Sequence, residues 1–185
     1  MNKSRLAAKY NDEIRHQLQQ QLALSNLMMV PKLEKIVLNV GVKEAVSDSK
    51  ALQEAVDVLA KIAGQRAVKR LARKSIAGFK LREGMAIGAK VTLRGAMMYE
   101  FLDRFITLAL PKVRDFQGLS TKLDGRGSYN VGIKDWTIFP EVEFDIGKKT
   151  QGMNITIQTS AHKDEHGLAL LQAFNIPFMK SKLKN

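Results

Sequence analysis

The stretch MNITIQTS, from Met153 to Ser160, alternates apolar and polar residues more cleanly than any other part of this chain. In an extended segment its Met and Ile side chains point to one side, while Asn154, Thr156, Gln158 and Ser160 point to the other. Such alternation predicts a strand with one side on a hydrophobic core and the other side open, as in antiparallel sheets. A strand covered on both sides would instead give a continuous apolar run.

Working outward from this strand, the residue pattern predicts an α+β order of elements. Helices are predicted at 4–22, from Ser47 or Asp48 to Gly64, at 97–110 and at 164–174, and strands at 34–42, 90–94 and after a glycine-rich turn within 124–133. The first helix carries an apolar stripe at a spacing of four, formed by Leu6, Tyr10, Ile14, Leu18 and Leu22. We therefore predict a single domain over residues 1–185, with a mainly antiparallel sheet, helices packed on one face, and a docking helix over residues 1–22.

The composition limits the possible classes of function. The 185 residues include 30 Lys or Arg and 18 Asp or Glu, which gives a net charge of +12. A surplus of this size repels itself, so we expect a bound polyanion, with nucleic acid ahead of an anionic membrane surface. No apolar run of about 18 residues predicts a membrane span, and the N-terminus lacks the apolar stretch of a signal peptide. The absence of cysteine excludes disulfides and thiolate metal sites, and predicts a reduced, cytosolic setting.

The positive charge is concentrated between Arg66 and Arg94, where nine Lys or Arg residues accompany a single acid, Glu83. Glycines at positions 78, 84 and 88 would each cost about 1 kcal/mol in a helix interior. The segment therefore predicts an irregular, extended basic loop at 73–89 that becomes ordered only when it meets RNA. A short basic tail is predicted at 179–185.

The open side of the predicted sheet is polar and poor in acids. Its expected members are Lys35, Asn39, Lys90, Thr92, Arg94, Asn154, Thr156 and Gln158. Short hydrogen-bonding groups with cations among them suit phosphate oxygens, ribose 2′-hydroxyls and base edges. Because few aromatic residues lie here, recognition of RNA shape and backbone is expected rather than base stacking. The alternative is that threonine was selected in these strands for its β-propensity alone.

Four long motifs occur in order along the chain: ARKSIAGFKLREGMAIGAKVTLRG, RDFQGLSTKLDGRGSYNVGI, IFPEVEFD and FNIPF. They resemble the bacterial L-five family of large-subunit ribosomal proteins, and the similarity extends from about Val30 to Phe178. The resemblance implies an α+β fold and a non-catalytic, ribosome-associated protein of the cytoplasm. It also implies binding to 5S rRNA and 23S rRNA in the central protuberance, beside neighbouring large-subunit proteins. Contact of the basic loop with the peptidyl-site tRNA and a bridge to a small-subunit head protein complete the implied partners.

The resemblance also implies roles for particular residues. In the LNVG, GQ and KVTLRG motifs, Asn39, Gln65 and Thr92 are implied to contact 5S rRNA, and Gln65 is added to the rRNA-binding set by the resemblance alone. The implied tRNA-contacting residues are Arg73, Lys74, Ser75, Gly78, Phe79, Lys80 and Arg82. Some positions depart from the family pattern, chiefly Ala86, Ala89, Leu123 and the stretch 146–152. These departures affect the region of the intersubunit contact rather than the RNA-binding residues.

Two short motifs allow other interpretations. The HKDEH stretch at His162–His166 matches an inverted zinc-protease signature, but His162 is expected outside the last helix and Asp164 is expected to cap it. No metal, cofactor or catalytic residue is therefore predicted. The DGRG stretch at 124–127 is either an anion-binding nest that presents Arg126 or a structural turn. At the level of function, the alternative to a ribosomal protein is a general nucleic-acid-binding protein with a steep salt dependence.

Overall fold

The computed structural model describes residues 4–142 and 151–179, and these form an α+β fold around one five-stranded sheet. The strands are β1 (Leu33–Gly41), β2 (Val68–Leu71), β3 (Ala86–Leu93), β4 (Tyr129–Ile133) and β5 (Met153–Thr159). Their order in the sheet is β2-β3-β1-β5-β4. The predicted class, a mainly antiparallel sheet with helices and an open polar face, is confirmed.

The helices follow the predicted positions with small shifts at their ends. They are α1 (Arg5–Lys9) and α2 (Arg15–Gln21), joined by a π-helical turn at Tyr10–Ile14, then α3 (Ser49–Ala63), α4 (Gly95–Arg104) and α5 (Asp164–Ala173). A second π-helical turn, Phe105–Ala109, and a short 3-10 helix with Pro111 at its start continue α4. In the part of the chain that is described, no helix combines the length and apolar character that a bilayer crossing requires.

The chain divides into two compact units. The first unit comprises residues 1–36, 94–131 and 156–185, and the second comprises residues 37–93 and 132–155. Strands β1, β4 and β5 therefore each contribute residues to both units. The first unit holds the N-terminal helices, α4 and α5, whereas the second holds α3, β2, β3 and the basic loop.

The apolar stripe of the N-terminal helices is buried in the first unit, as its spacing predicts. Leu6, Tyr10, Ile14 and Leu18 are buried, and only Leu22 at the end of the stripe is half-buried. Tyr10 uses both parts of its side chain: its ring stacks on that of Phe174, with centroids 5.9 Å apart, and its hydroxyl donates to the Pro31 carbonyl at 3.0 Å. An aromatic residue with a satisfied polar tip fixes this helix on the unit more specifically than apolar burial alone.

In the second unit, α3 packs against β3, and both ends of α3 confirm the prediction. The Asp48 carboxylate accepts from the Lys50 N–H at 2.8 Å, which satisfies one of the free amides of the first turn. Gly64 ends the helix with φ of +65°, a left-handed conformation that glycine adopts without steric cost. The buried side of α3 includes Leu59 and Ile62, both fully inaccessible to solvent.

The second unit also corrects the prediction of an irregular basic segment. Residues 68–71 form β2, an antiparallel partner of β3 in which Val68 pairs with Lys90. Ala86–Ala89, predicted as part of the loop, belong to β3. Gly88 is required there for packing rather than for bending, because a Cβ at this position would lie 2.6 Å from the Val40 carbonyl oxygen. Strand β2 has only four residues, all of them exposed, so no burial pattern marks it in the sequence.

Candidate nucleic-acid interface

In the second unit, the predicted polar residues lie on the open side of their strands. Asn39 and Asn154 are exposed, and Lys90 and Thr92 are half-buried, while the residues that alternate with them are buried. The backbone pleat therefore separates core-forming from open positions, as the sequence predicts. These four side chains are free to meet a partner.

Strand β2 adds an arginine that the sequence pattern did not reveal. Paired residues of neighbouring strands share one side of a sheet. Arg70 pairs with Gly88, and Val68 with Lys90, so Arg70 and Lys90 lie on the same open side. Arg70 is exposed, and the glycine opposite leaves its side chain uncovered. In the sequence VKRL the two apolar residues are three positions apart and all four residues are exposed, so apolar–polar alternation does not mark this strand.

In the first unit, a second residue missed by the sequence pattern joins the polar side. The Thr156 hydroxyl donates to Asn130 Oδ1 at 2.6 Å, and Asn130 is exposed in β4. This bond occupies the carbonyl of the Asn130 side chain, so its amide N–H groups remain to donate outward. The predicted residues in this unit are half-buried or exposed: Lys35, Arg94, Thr156 and Gln158.

The open sides of the strands share one electrostatic property in both units. Across the five strands, all within the described ranges, the one Asp or Glu is Glu34, which is exposed at the start of β1 where the alternation of burial shifts. From Ile36 onward, the strands carry no acid on either side. A surface intended only for solvation carries both signs of charge, whereas this one offers phosphates little repulsion.

Gln65, implied to be functional by the family resemblance, lies outside the strands. It directly follows the left-handed Gly64 at the end of α3 and is exposed. The helix cap fixes the backbone immediately before it, so the Gln65 side chain projects from a defined point at the end of α3.

The basic loop has local turn structure, and the implied tRNA-contacting residues in it are exposed. Ile76 and Leu81 form an antiparallel bridge around a 3-10 turn at Ala77–Phe79. The Glu83 N–H donates to Ser75 Oγ at 2.9 Å, and the Gly84 N–H to the Ala72 carbonyl at 3.0 Å. The loop therefore contains one isolated bridge and one 3-10 turn, and residues 72–85 lie outside the named strands and α-helices. The exposed residues are Arg73, Lys74, Ser75, Gly78, Phe79, Lys80 and Arg82.

The DGRG turn of the first unit is stabilised by hydrogen bonds to the carboxylate of its own Asp124. Asp124 Oδ1 accepts from the Arg126 N–H and from the Ser128 N–H, each at 2.9 Å. These two backbone bonds, with the Arg126 charge as a smaller cause, hold the pKa of the Asp124 carboxyl below its usual value. Asp124 therefore stabilises the turn in its ionised form.

Asp164 of α5 also accepts hydrogen bonds from this turn, whereas the sequence predicts it to cap α5. Its carboxylate accepts from the Gly125 N–H at 3.1 Å and from the Gly127 N–H at 2.9 Å. The N-cap position of α5 belongs to Lys163, whose side chain makes no capping bond. Since the turn's amides are occupied by carboxylates, the hypothesis of an anion nest is wrong and the structural turn is correct.

The histidine motif does not assemble a metal site. His162 precedes α5 and His166 lies within it, so the two imidazoles do not share a helical face. Within residues 4–142 and 151–179, no three His, Cys, Asp or Glu side chains are arranged to hold a metal ion. The tail beyond Met179 and residues 146–150 of the atypical 146–152 stretch lie outside the described residues.

Family models and curated proteins match nearly the whole chain. The model described as ribosomal protein L5 matches residues 26–82, and the model of the C-terminus of the same ribosomal family matches residues 86–178. Large ribosomal subunit protein uL5 of Psychrobacter cryohalolentis is 54% identical over 176 residues, covering 95% of this chain and 99% of that protein. The uL5 proteins of Acidovorax sp. (strain JS42) and Nitrosococcus oceani are 55% and 53% identical, again over 95% of this chain, and over 98% and 97% of their own lengths.

These matches first define a class: a structural, non-enzymatic constituent of the large ribosomal subunit, with the rRNA binding typical of its relatives. The chain belongs to the ribosomal protein L5 family. The resemblance inferred from the sequence motifs is confirmed, as is the assignment to the ribosome in the cytoplasm.

Proposed function

We propose that this protein binds 5S rRNA and 23S rRNA in the central protuberance, through the open polar sides of its strands. In the same proposal, the basic loop contacts the peptidyl-site tRNA, and a further surface bridges to a small-subunit head protein beside neighbouring large-subunit proteins. The observation that carries the rRNA part is the scarcity of carboxylates in the described strands, where Glu34 at the start of β1 is the one acid. Family membership supports the remainder.

The chemistry of these positions suits an RNA backbone. Asn39, Thr92 and Asn154 offer donors and acceptors without charge, and so can bond both phosphate oxygens and ribose 2′-hydroxyls. Lys90 and Arg70 add positive charge beside them, which attracts the phosphates and fixes the register. Sugar and phosphate contacts of this kind recognise a folded RNA by its shape.

The loop is suited to a different task. Its cations stand on an exposed turn outside the strands, so RNA contact there does not require the open side of the sheet. Lys74 and Lys80 are both exposed. A loop of this type adds affinity through phosphate charge and contributes little base specificity.

The division of tasks is tested by paired substitutions and binding to purified 5S rRNA. Asn39→Ala and Thr92→Val each remove one open-side partner, and we expect a loss of about 1–3 kcal/mol in binding free energy. Lys74→Ala and Lys80→Ala should leave 5S affinity nearly unchanged. Thr107→Val, at an exposed threonine of the turn after α4, controls for general effects of the Thr-to-Val change. Equal losses from the strand and loop substitutions would contradict the division.

The net charge of +12 favours a second candidate, a general nucleic-acid-binding protein. Such a protein binds any duplex, and its affinity falls steeply with salt. Competition between 5S rRNA and a random RNA of equal length at about 0.15 M salt separates the two functions. A clear preference for 5S rRNA supports the specific proposal, and equal affinities support the alternative.

A further inference from the structure

An open groove in the second unit lies between the tip of the basic loop and the end of β1. Its volume is about 730 Å³, within the range of grooves that hold small organic groups. Val42 and Val46 line one side, and Leu81 and Phe79 of the loop line the other. The loop bridge at Leu81 and the 3-10 turn that ends at Phe79 fix the loop side of the groove.

Phe79 is the most unusual residue of this groove. Its side chain is 74% exposed, although burying a phenylalanine stabilises a folded protein substantially. The next residue, Lys80, adopts a positive φ of +53° and ends the turn. An aromatic ring held in the open by a turn of fixed shape presents a face on which a flat ring can stack.

The charges around the groove define the kind of ligand. Lys43 and Lys80 line it, one from the chain segment after β1 and one from the loop, and none of its lining residues is acidic. An apolar slot with a cation on each side fits a flat, weakly polar group that carries anions on both flanks. An unpaired nucleobase with its two adjoining phosphates has that arrangement.

We propose that this groove takes one unpaired nucleobase of an RNA strand, stacked on Phe79, with Lys43 and Lys80 at the phosphates on either side. The proposal rests on the RNA contact proposed for the loop and adds a base-binding site to it. Two of the lining residues, Lys43 and Val46, lie outside the loop, so the site can be altered without changing the loop itself. An apolar peptide would not need the two lysines.

The test uses the full-length protein and two RNA hairpins that differ at one position. One hairpin carries an unpaired 2-aminopurine as a single-base bulge, and the other carries the same base paired in the stem. We expect the protein to bind the bulged hairpin about 5- to 150-fold more tightly, the factor that corresponds to one base stacked on an aromatic ring. The 2-aminopurine fluorescence should fall on binding to the bulged hairpin only.

Substitutions then assign the preference to the groove. Val46→Trp fills the groove, and Phe79→Ala removes the stacking ring, so each should abolish the preference for the bulged hairpin. Phe79→Trp should retain it. Lys43→Ala should weaken the bulged complex more than Lys50→Ala, a matched change at an exposed lysine of α3. Urea unfolding of each variant verifies that the fold is intact, and Lys43→Ala remains decisive if Val46→Trp does not fold.

The failure of this site is distinguishable from failure of the loop's RNA contact. Lys74→Ala should weaken both hairpins equally, because it removes phosphate attraction by the loop. If Lys74→Ala has that effect but Val46→Trp and Phe79→Ala leave the preference intact, the groove proposal is overturned and the loop contact stands. If the bulged hairpin has no advantage over the paired one with the unaltered protein, the groove proposal is likewise overturned. If Lys74→Ala changes the affinity for neither hairpin while Lys43→Ala abolishes the preference for the bulged one, the groove proposal is supported and the general attraction of RNA by the loop is not.

Discussion

The basic loop at 73–85 and the DGRG turn at 124–128 are both glycine-containing segments that carry arginine, yet they have opposite structural roles. In the turn, four backbone N–H groups donate to Asp124 and Asp164. In the loop, the bonds are made mainly between backbone groups, and its one acid, Glu83, is exposed. The N–H groups of the turn are therefore bonded to carboxylates of the protein itself, while the cations of the loop remain available to an external anion.

The difference shows how the position of acids determines the use of a glycine-rich cationic segment. Backbone amides and guanidinium groups attract anions wherever they are concentrated. When the fold provides carboxylates, as α5 provides Asp164, the segment becomes a structural element. When the fold provides no carboxylates, the positive charge of the segment stays uncompensated and can attract the phosphates of RNA. The four predictions that follow test this contrast through stability, from the largest effect to the smallest.

Gly127→Ala should have the largest effect. Gly127 has a φ of +76°, and a Cβ there would lie 2.7 Å from Ala161 Cβ and 2.8 Å from the Ala161 carbonyl oxygen. Backbone strain and overlap together should cost about 3 kcal/mol or more in the free energy of unfolding, measured in urea. Gly125→Ala and Gly84→Ala are matched controls, because both have positive φ but nothing within 4 Å. Each should cost about 1 kcal/mol. A loss at Gly84 as large as that at Gly127 would contradict the contrast.

Asp164→Ala should have the next largest effect, because it leaves the Gly125 and Gly127 N–H groups without their acceptor. We expect a loss of about 1–2 kcal/mol in the free energy of unfolding, since water can reach the more exposed amide. Glu165→Ala, the adjacent exposed carboxylate, is the matched control and should change stability by less than about 0.5 kcal/mol. Equal losses would show that charge at the start of α5 matters more than the bonds to the turn.

Measurements of stability at acid pH should reveal how much the ionised Asp124 carboxylate stabilises the fold. Because its pKa is lowered in the folded protein, its stabilising effect is complete above the pKa of the unfolded chain, near 3.8. The effect is lost as the pH falls through the lower pKa of the folded state. In urea unfolding from about pH 5 down to about pH 2, Asp124→Asn should flatten the loss of stability with falling pH. The curves of the two proteins should approach each other at the acid end, and parallel curves would contradict the assignment.

Ser75→Ala in the loop should have the smallest effect on stability. It removes the acceptor of the Glu83 N–H, but both residues are exposed and water replaces the bond. We expect a change within about 0.5 kcal/mol in the free energy of unfolding. A loss of unfolding free energy comparable to that of Asp164→Ala would mean that the loop, like the turn, is stabilised by its internal hydrogen bonds.

The sequence by itself determined the features that depend on local patterns. Alternation within β5, the Asp48 cap and the Gly64 terminus of α3 each involve residues a few positions apart, so backbone geometry connects them directly to structure. The same alternation assigned Asn39, Thr92 and Asn154 to an open side poor in acids. The four long motifs, of which the 72–95 stretch is the first, together indicated the family.

Only the tertiary structure decided which distant residues meet. Asp164 lies 37 residues from Gly127 along the chain, and nothing local predicts that it accepts from that amide rather than capping α5. The pairing with β3 that places Arg70 on the open side, and the bond that orients Asn130, are equally non-local. The physical reason is that a side chain's partner depends on how separate elements pack, whereas its side of a strand depends only on its neighbours.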